Sequence, residues 1–169
     1  MTKTILFVIT LFVAKTIFCQ EFINVTSQQN IVDIQDFNLS NANGMSFYDF
    51  DEDGWDDITY PMNNDSIIFY KNFNGQFHKI GSFLYSDGDI RQILWVDYDN
   101  DGVLDLCISY NDFGVKLYKN TGNFNFIDVS ISSGIYPSVN HPYGFSFADP
   151  DNDNDLDLYI ADYSPVSAS

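Results

Sequence analysis

The chain repeats itself with a period near 50 residues, and a period of that length constrains the fold more than any local propensity does. Three nine-residue acidic windows begin at positions 49, 97 and 149, and other landmarks recur in step with them. Residues 44–49 (GMSFYD) return as 144–149 (GFSFAD), 22–26 (FINVT) as 126–130 (FIDVS), and 67–72 (IIFYKN) as 115–120 (VKLYKN).

Every unit reads as β. A first apolar, aromatic stretch enters the acidic window (45–48, 92–96, 143–148), and a second leaves it directly (57–61, 105–110, 157–161). A polar turn (63–65, 111–114) leads to a third stretch ending in Lys-Asn. A Gly-containing turn (73–75, 121–123) then leads to a fourth, around 77–80 and 126–129. These runs are short, β-branched or aromatic, and bounded by Asn, Asp and Gly. No useful helix-period segment follows residue 20. Four antiparallel strands in about 50 residues describe a β-propeller blade. The expected fold class is therefore all-β, with propeller blades in an incomplete set of about three repeats.

The windows carry the chemistry. The first places Asp49, Asp51, Asp53 and Asp57 at positions 1, 3, 5 and 9; the second, Asp97, Asp99, Asp101 and Asp105; the third, Asp149, Asp151, Asp153 and Asp157. Each has the form D-x-D-x-D-[GN]-x-x-D. Four carboxylates this close repel one another unless a cation sits among them. Alternate spacing turns oxygens inward around a tight loop, and position 6 needs a positive φ. Gly54 and Gly102 supply it freely, and Asn154 is the next best residue there. The carbonyl of position 7 (Trp55, Val103, Asp155) is the expected fifth ligand. All-oxygen donors on a charged loop select Ca²⁺, at about three sites; zinc or copper would want His or Cys. An EF-hand is excluded, because its position-12 glutamate is replaced by Tyr60, Ile108 and Ile160 and the flanks read as strands.

Charge follows from the same windows. The chain has 24 acidic and 7 basic residues, net −17, and 15 of the 24 acids lie in the windows. That balance excludes nucleic acid held by phosphate neutralisation and a polybasic contact with anionic lipid. With 45% apolar residues and 17% aromatics the chain is no disordered acidic tail.

At the N-terminus, Lys3 precedes an uncharged, largely apolar run at 4–14 (TILFVITLFVA), too short for a spanning helix of about 20 residues. Residues 1–19 read as a secretory signal peptide cleaved between Cys19 and Gln20, with an N-terminal membrane anchor as the alternative. Bulky Phe18 disfavours lipid attachment at Cys19. Cys107 is then a lone thiol, expected to pack as a small hydrophobe rather than to react.

The three windows, each followed by Asp-Leu or Asp-Ile and a strand, with Tyr-Lys-Asn and Gly-x-Phe downstream, resemble the FG-GAP repeats of integrin alpha chains and the related VCBS repeats of secreted bacterial proteins. The resemblance covers about residues 21–163. It implies a seven-bladed propeller whose calcium loops join strands one and two of each blade, with the twelve aspartates above as ligands. The organisation expected is a signal peptide at 1–19, an N-terminal strand and linker at 20–43, repeats at 44–91 and 92–142, and a partial repeat at 143–169. Two units and a part cannot close a propeller of four or more blades. The expectation is thus the N-terminal part of a longer protein, or a truncated gene product, with 22–26 a fourth-type strand that completes another blade.

No catalytic constellation accompanies this pattern. His78 and His141 have no partnered nucleophile, and neither a Gly-x-Ser-x-Gly motif nor a phosphate-cradling loop is present. Trp55 and Tyr98 could stack on sugars but more simply pack. The function expected is a secreted or cell-surface calcium-binding module for an extracellular protein or glycan, or for the missing blades of a longer chain. The alternative is part of a secreted polysaccharide-degrading enzyme.

Overall fold

The structure, a computed structural model, describes residues 23–29, 31, 44–62, 66–84, 88–135 and 141–163. The signal segment 1–19 and the turn 63–65 lie outside the described residues. Among the described residues, ten strands form three antiparallel sheets in chain order. The first contains β1 (Ser46–Tyr48), β2 (Asp57–Met62), β3 (Ser66–Phe73) and β4 (Gln76–Leu84). The second contains β5 (Ile90–Val96), β6 (Asp105–Tyr110), β7 (Gly114–Asn120) and β8 (Phe126–Asp128), and the third β9 (Pro142–Ala148) and β10 (Asp157–Asp162). Each four-stranded sheet is a meander, so every expected strand of repeats one and two falls in its place. The chain is all-β, built of four-stranded propeller-type blades, with no α-helix among the described residues.

Local chemistry sets the corners. Asn74 and Gly75 both have positive φ (52° and 86°) between the paired residues Phe73 and Gln76. That is the two-residue hairpin whose twist matches its flanking strands.

The core lies between the sheets. Phe50, Phe69, Trp95, Phe124 and Phe126 gather between blades one and two, with Phe69 stacked on Phe124 at 4.8 Å. The Trp95 indole N–H donates to Thr59 Oγ1 across this interface (2.8 Å), so the aromatic body is buried and its polar handle satisfied. Cys107, Val115, Leu117 and Phe145 form a second cluster between blades two and three. Covered on both faces, β6 is buried at all six positions, whereas β10 is exposed or half-buried throughout.

Adjacent blades touch through their first strands, as β1 and β9 both contact β5. The Gly44 N–H donates to the Ile90 carbonyl (3.0 Å), and a Cβ there would lie 2.2 Å from the Arg91 carbonyl oxygen. At Gly144 a Cβ would lie 3.0 Å from the Gln92 side-chain oxygen, a looser approach, and that side-chain amide brackets Phe145 by accepting from its N–H (2.9 Å) and donating to its carbonyl (3.1 Å). The glycine that opens each of these matching stretches, at 44 and at 144, thus lies against the first strand of the neighbouring blade.

One expected strand is absent. Of residues 22–26, Phe22 lies outside the described set, residues 23–25 are irregular, and a 3₁₀ turn runs over Thr26–Gln28. The Val25 carbonyl accepts from both the Gln28 and Gln29 N–H groups (2.9 and 3.1 Å), so a local turn takes the place of a ladder. Beyond it, Ile31 packs against Ile58, Ile68, Tyr70 and Phe77 on the outer face of blade one.

Candidate metal centre

Each acidic window is the corner between the first and second strands of a sheet: β1–β2, β5–β6 and β9–β10. Two strands, not two helices, flank it, which agrees with the exclusion of an EF-hand. In each corner three carboxylates converge, and ligand-capable oxygens of Asp49, Asp51 and Asp53 lie within 4.8 Å of one another. The same holds for Asp97, Asp99 and Asp101, and for Asp149, Asp151 and Asp153.

Backbone N–H groups organise these side chains identically. In the first loop the Asp53 and Gly54 N–H groups donate to the two oxygens of Asp49 (3.0 and 2.7 Å), and the Trp55 N–H donates to Asp53 (3.0 Å). In the second, Asp101 and Gly102 donate to Asp97 (both 3.0 Å) and Val103 to Asp101 (2.9 Å). In the third, Asp153 and Asn154 donate to Asp149 (3.2 and 3.1 Å) and Asp155 to Asp153 (3.1 Å). Asn154 takes φ +71°, close to the +79° of Gly102, so its replacement of glycine leaves the loop intact. A second left-handed residue precedes it at position 4: Glu52, Asn100 and Asn152, at 60°, 56° and 59°. The two asparagines there are a signal that sequence reading passed over, because Glu52 masks the pattern in the first repeat.

The position-9 aspartates stand apart. Asp57 and Asp105 are fully buried at the start of β2 and β6. Asp57 accepts from the N–H of Phe50 (3.2 Å) and of Asn72 (2.8 Å), tying the loop to β3. Asp105 accepts from the Asn120 N–H (2.7 Å), and the Tyr98 backbone N–H stands to it as that of Phe50 does to Asp57. Burial foremost, then the neighbouring carboxylates of positions 3 and 5, pushes each up to about 6, against the opposing pull of the Asn72 and Asn120 N–H groups. Asp157, by contrast, is exposed.

The asparagine of each Lys-Asn landmark is a clamp. Asn72 Nδ2 donates to the Asp56 carbonyl (3.0 Å) and its Oδ1 accepts from the Gly75 N–H (2.8 Å). Asn120 does the same with Leu104 (3.1 Å) and Gly122 (3.0 Å). The lysine beside it reaches the loop. Lys71 pairs with Asp51 and Asp53 (2.8 Å to the latter), and Lys119 with Asp99 and Asp101 (2.8 Å to the latter). Those hydrogen bonds hold Asp53 and Asp101 below the usual carboxylate range and raise both ammonium groups. In the third loop no lysine or arginine pairs with an aspartate among the described residues. Asp155, hydrogen-bonded to Asp153, is pushed up instead.

This donor set fits a hard divalent cation. Like charges about 4 Å apart repel by about 1 kcal/mol in bulk water and about 4 kcal/mol in a protein-surface dielectric. Three converging carboxylates on a preformed loop, with a buried carboxylate beneath each of the first two, therefore match oxygen coordination of calcium. Asp49, Asp51 and Asp53 with their equivalents form the rim, Asp57 and Asp105 lie below, and the carbonyls of Trp55, Val103 and Asp155 remain expected ligands on spacing alone.

The remaining candidates are structural in their surroundings. Tyr98 packs half-buried near the second cluster, with the Lys119 ammonium 5.9 Å from its ring centre; Trp55 is 44% exposed. His78 meets the Phe73 ring edge-on at 5.4 Å, and His141 lies 3.3 Å from the Asn111 carbonyl. Cys107 is buried, which pushes its thiol up. No helix among the described residues is long and apolar enough to cross a membrane.

A family described as FG-GAP-like repeat matches residues 49–108 and again 97–160, two overlapping units that each run from one acidic window into the strand after the next. No curated protein and no solved structure matches the chain.

Proposed function

The chain belongs to the FG-GAP-like repeat family, and on that footing we propose that it is an exported calcium-binding propeller module that recognises a protein or glycan and carries no catalytic activity of its own. The observation that carries the metal reading is the threefold recurrence of one carboxylate geometry, organised each time by the same three backbone N–H donors. Such loops tie the first two strands of a blade together and hold oxygen atoms where charge repulsion would otherwise spread them. Export is supported by the N-terminal pattern at 1–19 and by a family setting outside the cell. The recognition role is supported by Trp55 and the other exposed aromatics at the blade corners, which offer flat apolar surface beside polar loops.

Calorimetric titration with calcium tests the metal directly, with about three equivalents expected. A ligand bound only by the native state raises its melting temperature, so chelator should lower it. A flat titration together with unchanged melting sinks the assignment. Binding on a glycan array without product formation supports the module. Release of reducing ends or unsaturated sugars from a polysaccharide panel would instead establish the enzyme reading.

A further inference from the structure

Two of the three loops already contain a cation of the protein's own. The Lys71 ammonium bridges Asp51 and Asp53, and the Lys119 ammonium bridges Asp99 and Asp101. In each case the bridged residues are positions 3 and 5, two of the three carboxylates that converge in that loop. Both lysines arrive by the same route. They sit on β3 and β7, the strands that pair with β2 and β6, one residue before the asparagine that clamps the loop. Each is also near an aromatic face, Lys71 at 5.3 Å from Phe73 and Lys119 at 5.9 Å from Tyr98. That leaves the ammonium a nearby resting place outside the aspartate pair.

We propose that Lys71 and Lys119 are tethered counter-ions that hold their loops closed without metal and must leave the aspartate pair when a divalent cation enters. The inference rests on the calcium reading above and adds a residue that sets its affinity. Repulsion among three carboxylates would open an empty loop, and a lysine on the adjacent strand cancels part of it at no cost in association entropy. The same charge opposes calcium, first by occupying two of its ligands and then by repelling it at short range. The third loop pairs with no such lysine among the described residues, so it is the internal control.

The measurement is calcium titration calorimetry of the full chain as wild type, Lys71→Met, Lys119→Met and Lys71→Arg, with melting in chelator alongside. Methionine keeps the stem's packing and removes the charge. Each Met variant should bind calcium more tightly at one site, by roughly tenfold, the size expected when an exposed ion pair and a short-range repulsion are both removed. The remaining sites should be unmoved. In chelator each Met variant should melt below wild type, and Lys71→Arg, which keeps the charge, should stay close to wild type in both assays. Unchanged or weaker calcium binding in the Met variants, with normal wild-type binding, overturns the lysine role alone. No calcium binding by the wild type overturns the metal reading and this inference together.

Discussion

The first two acidic loops and the third share one nine-residue grammar and one backbone path, yet their closing aspartates have different fates. Asp57 and Asp105 are fully buried and accept the N–H of an asparagine on the adjoining strand; Asp157 is exposed. The nine residues themselves build the rim, since all three triplets converge alike. What they cannot do is bury position 9. That requires the third strand, β3 or β7, which brings the Asn N–H, the Asn side-chain clamp and the lysine together. Among the described residues the third sheet has two strands, and its Asp157 is exposed. A motif thus specifies a shape, and its neighbour in the sheet specifies an environment.

The sharpest way to break this comparison is to remove the closing carboxylate. Asp57→Ala or Asp105→Ala leaves buried backbone donors unpaired and should cost about 3 kcal/mol in a urea melt performed in chelator. Asp157→Ala, at an exposed position, should cost under about 0.5 kcal/mol. Equal losses at all three would mean that position 9 is not set apart by burial. A smaller effect tests the clamp from the other strand. Asn72→Ala and Asn120→Ala each lose two side-chain hydrogen bonds and should destabilise by about 1–2 kcal/mol in the same assay. If they are neutral, the Lys-Asn landmark is not what fixes the corner.

The smallest effect is a pH slope, and calcium should reverse it. The folded values of Asp57 and Asp105, about 6, exceed the unfolded carboxylate value near 4. Folding therefore takes up protons between roughly pH 4 and pH 6, and this contribution to metal-free stability is lost as pH rises through that window. In chelator the melting temperature should rise modestly from pH 7 to pH 5, and the rise should shrink in Asp57→Asn/Asp105→Asn. With saturating calcium, which needs the ionised carboxylates, the trend should run the other way. Parallel slopes in the two conditions would separate the buried aspartates from the metal.

Much of the blade architecture was legible because each landmark acts locally. Asn74-Gly75 dictates its hairpin, short β-branched and aromatic runs bounded by Asn, Asp and Gly mark the strands, and the aspartate spacing forms its own loop whatever surrounds it. Three things were not legible. Lys71 lies 20 residues from Asp51, and only the β2–β3 register makes them neighbours; the recurrence of Tyr-Lys-Asn flagged the position without giving its partner. Asp57 looked like one more rim ligand, since spacing carries no information about burial. Residues 22–26 match 126–130 in letters, but a matching string becomes a strand only where a neighbouring strand offers a ladder, and residues 23–29 turn on the Val25 carbonyl instead.

The two tryptophans divide the molecule between them as natural spectroscopic probes. Trp55 sits inside the first acidic loop, 44% exposed, at the position whose carbonyl is an expected ligand, while Trp95 is sealed between blades and hydrogen-bonded to Thr59. Emission from the first should respond to ion entry and to solvent quenchers; emission from the second should shift only when the blades part. A Trp55→Phe chain and a Trp95→Phe chain would therefore read loop occupancy and blade separation on independent channels, without any attached dye.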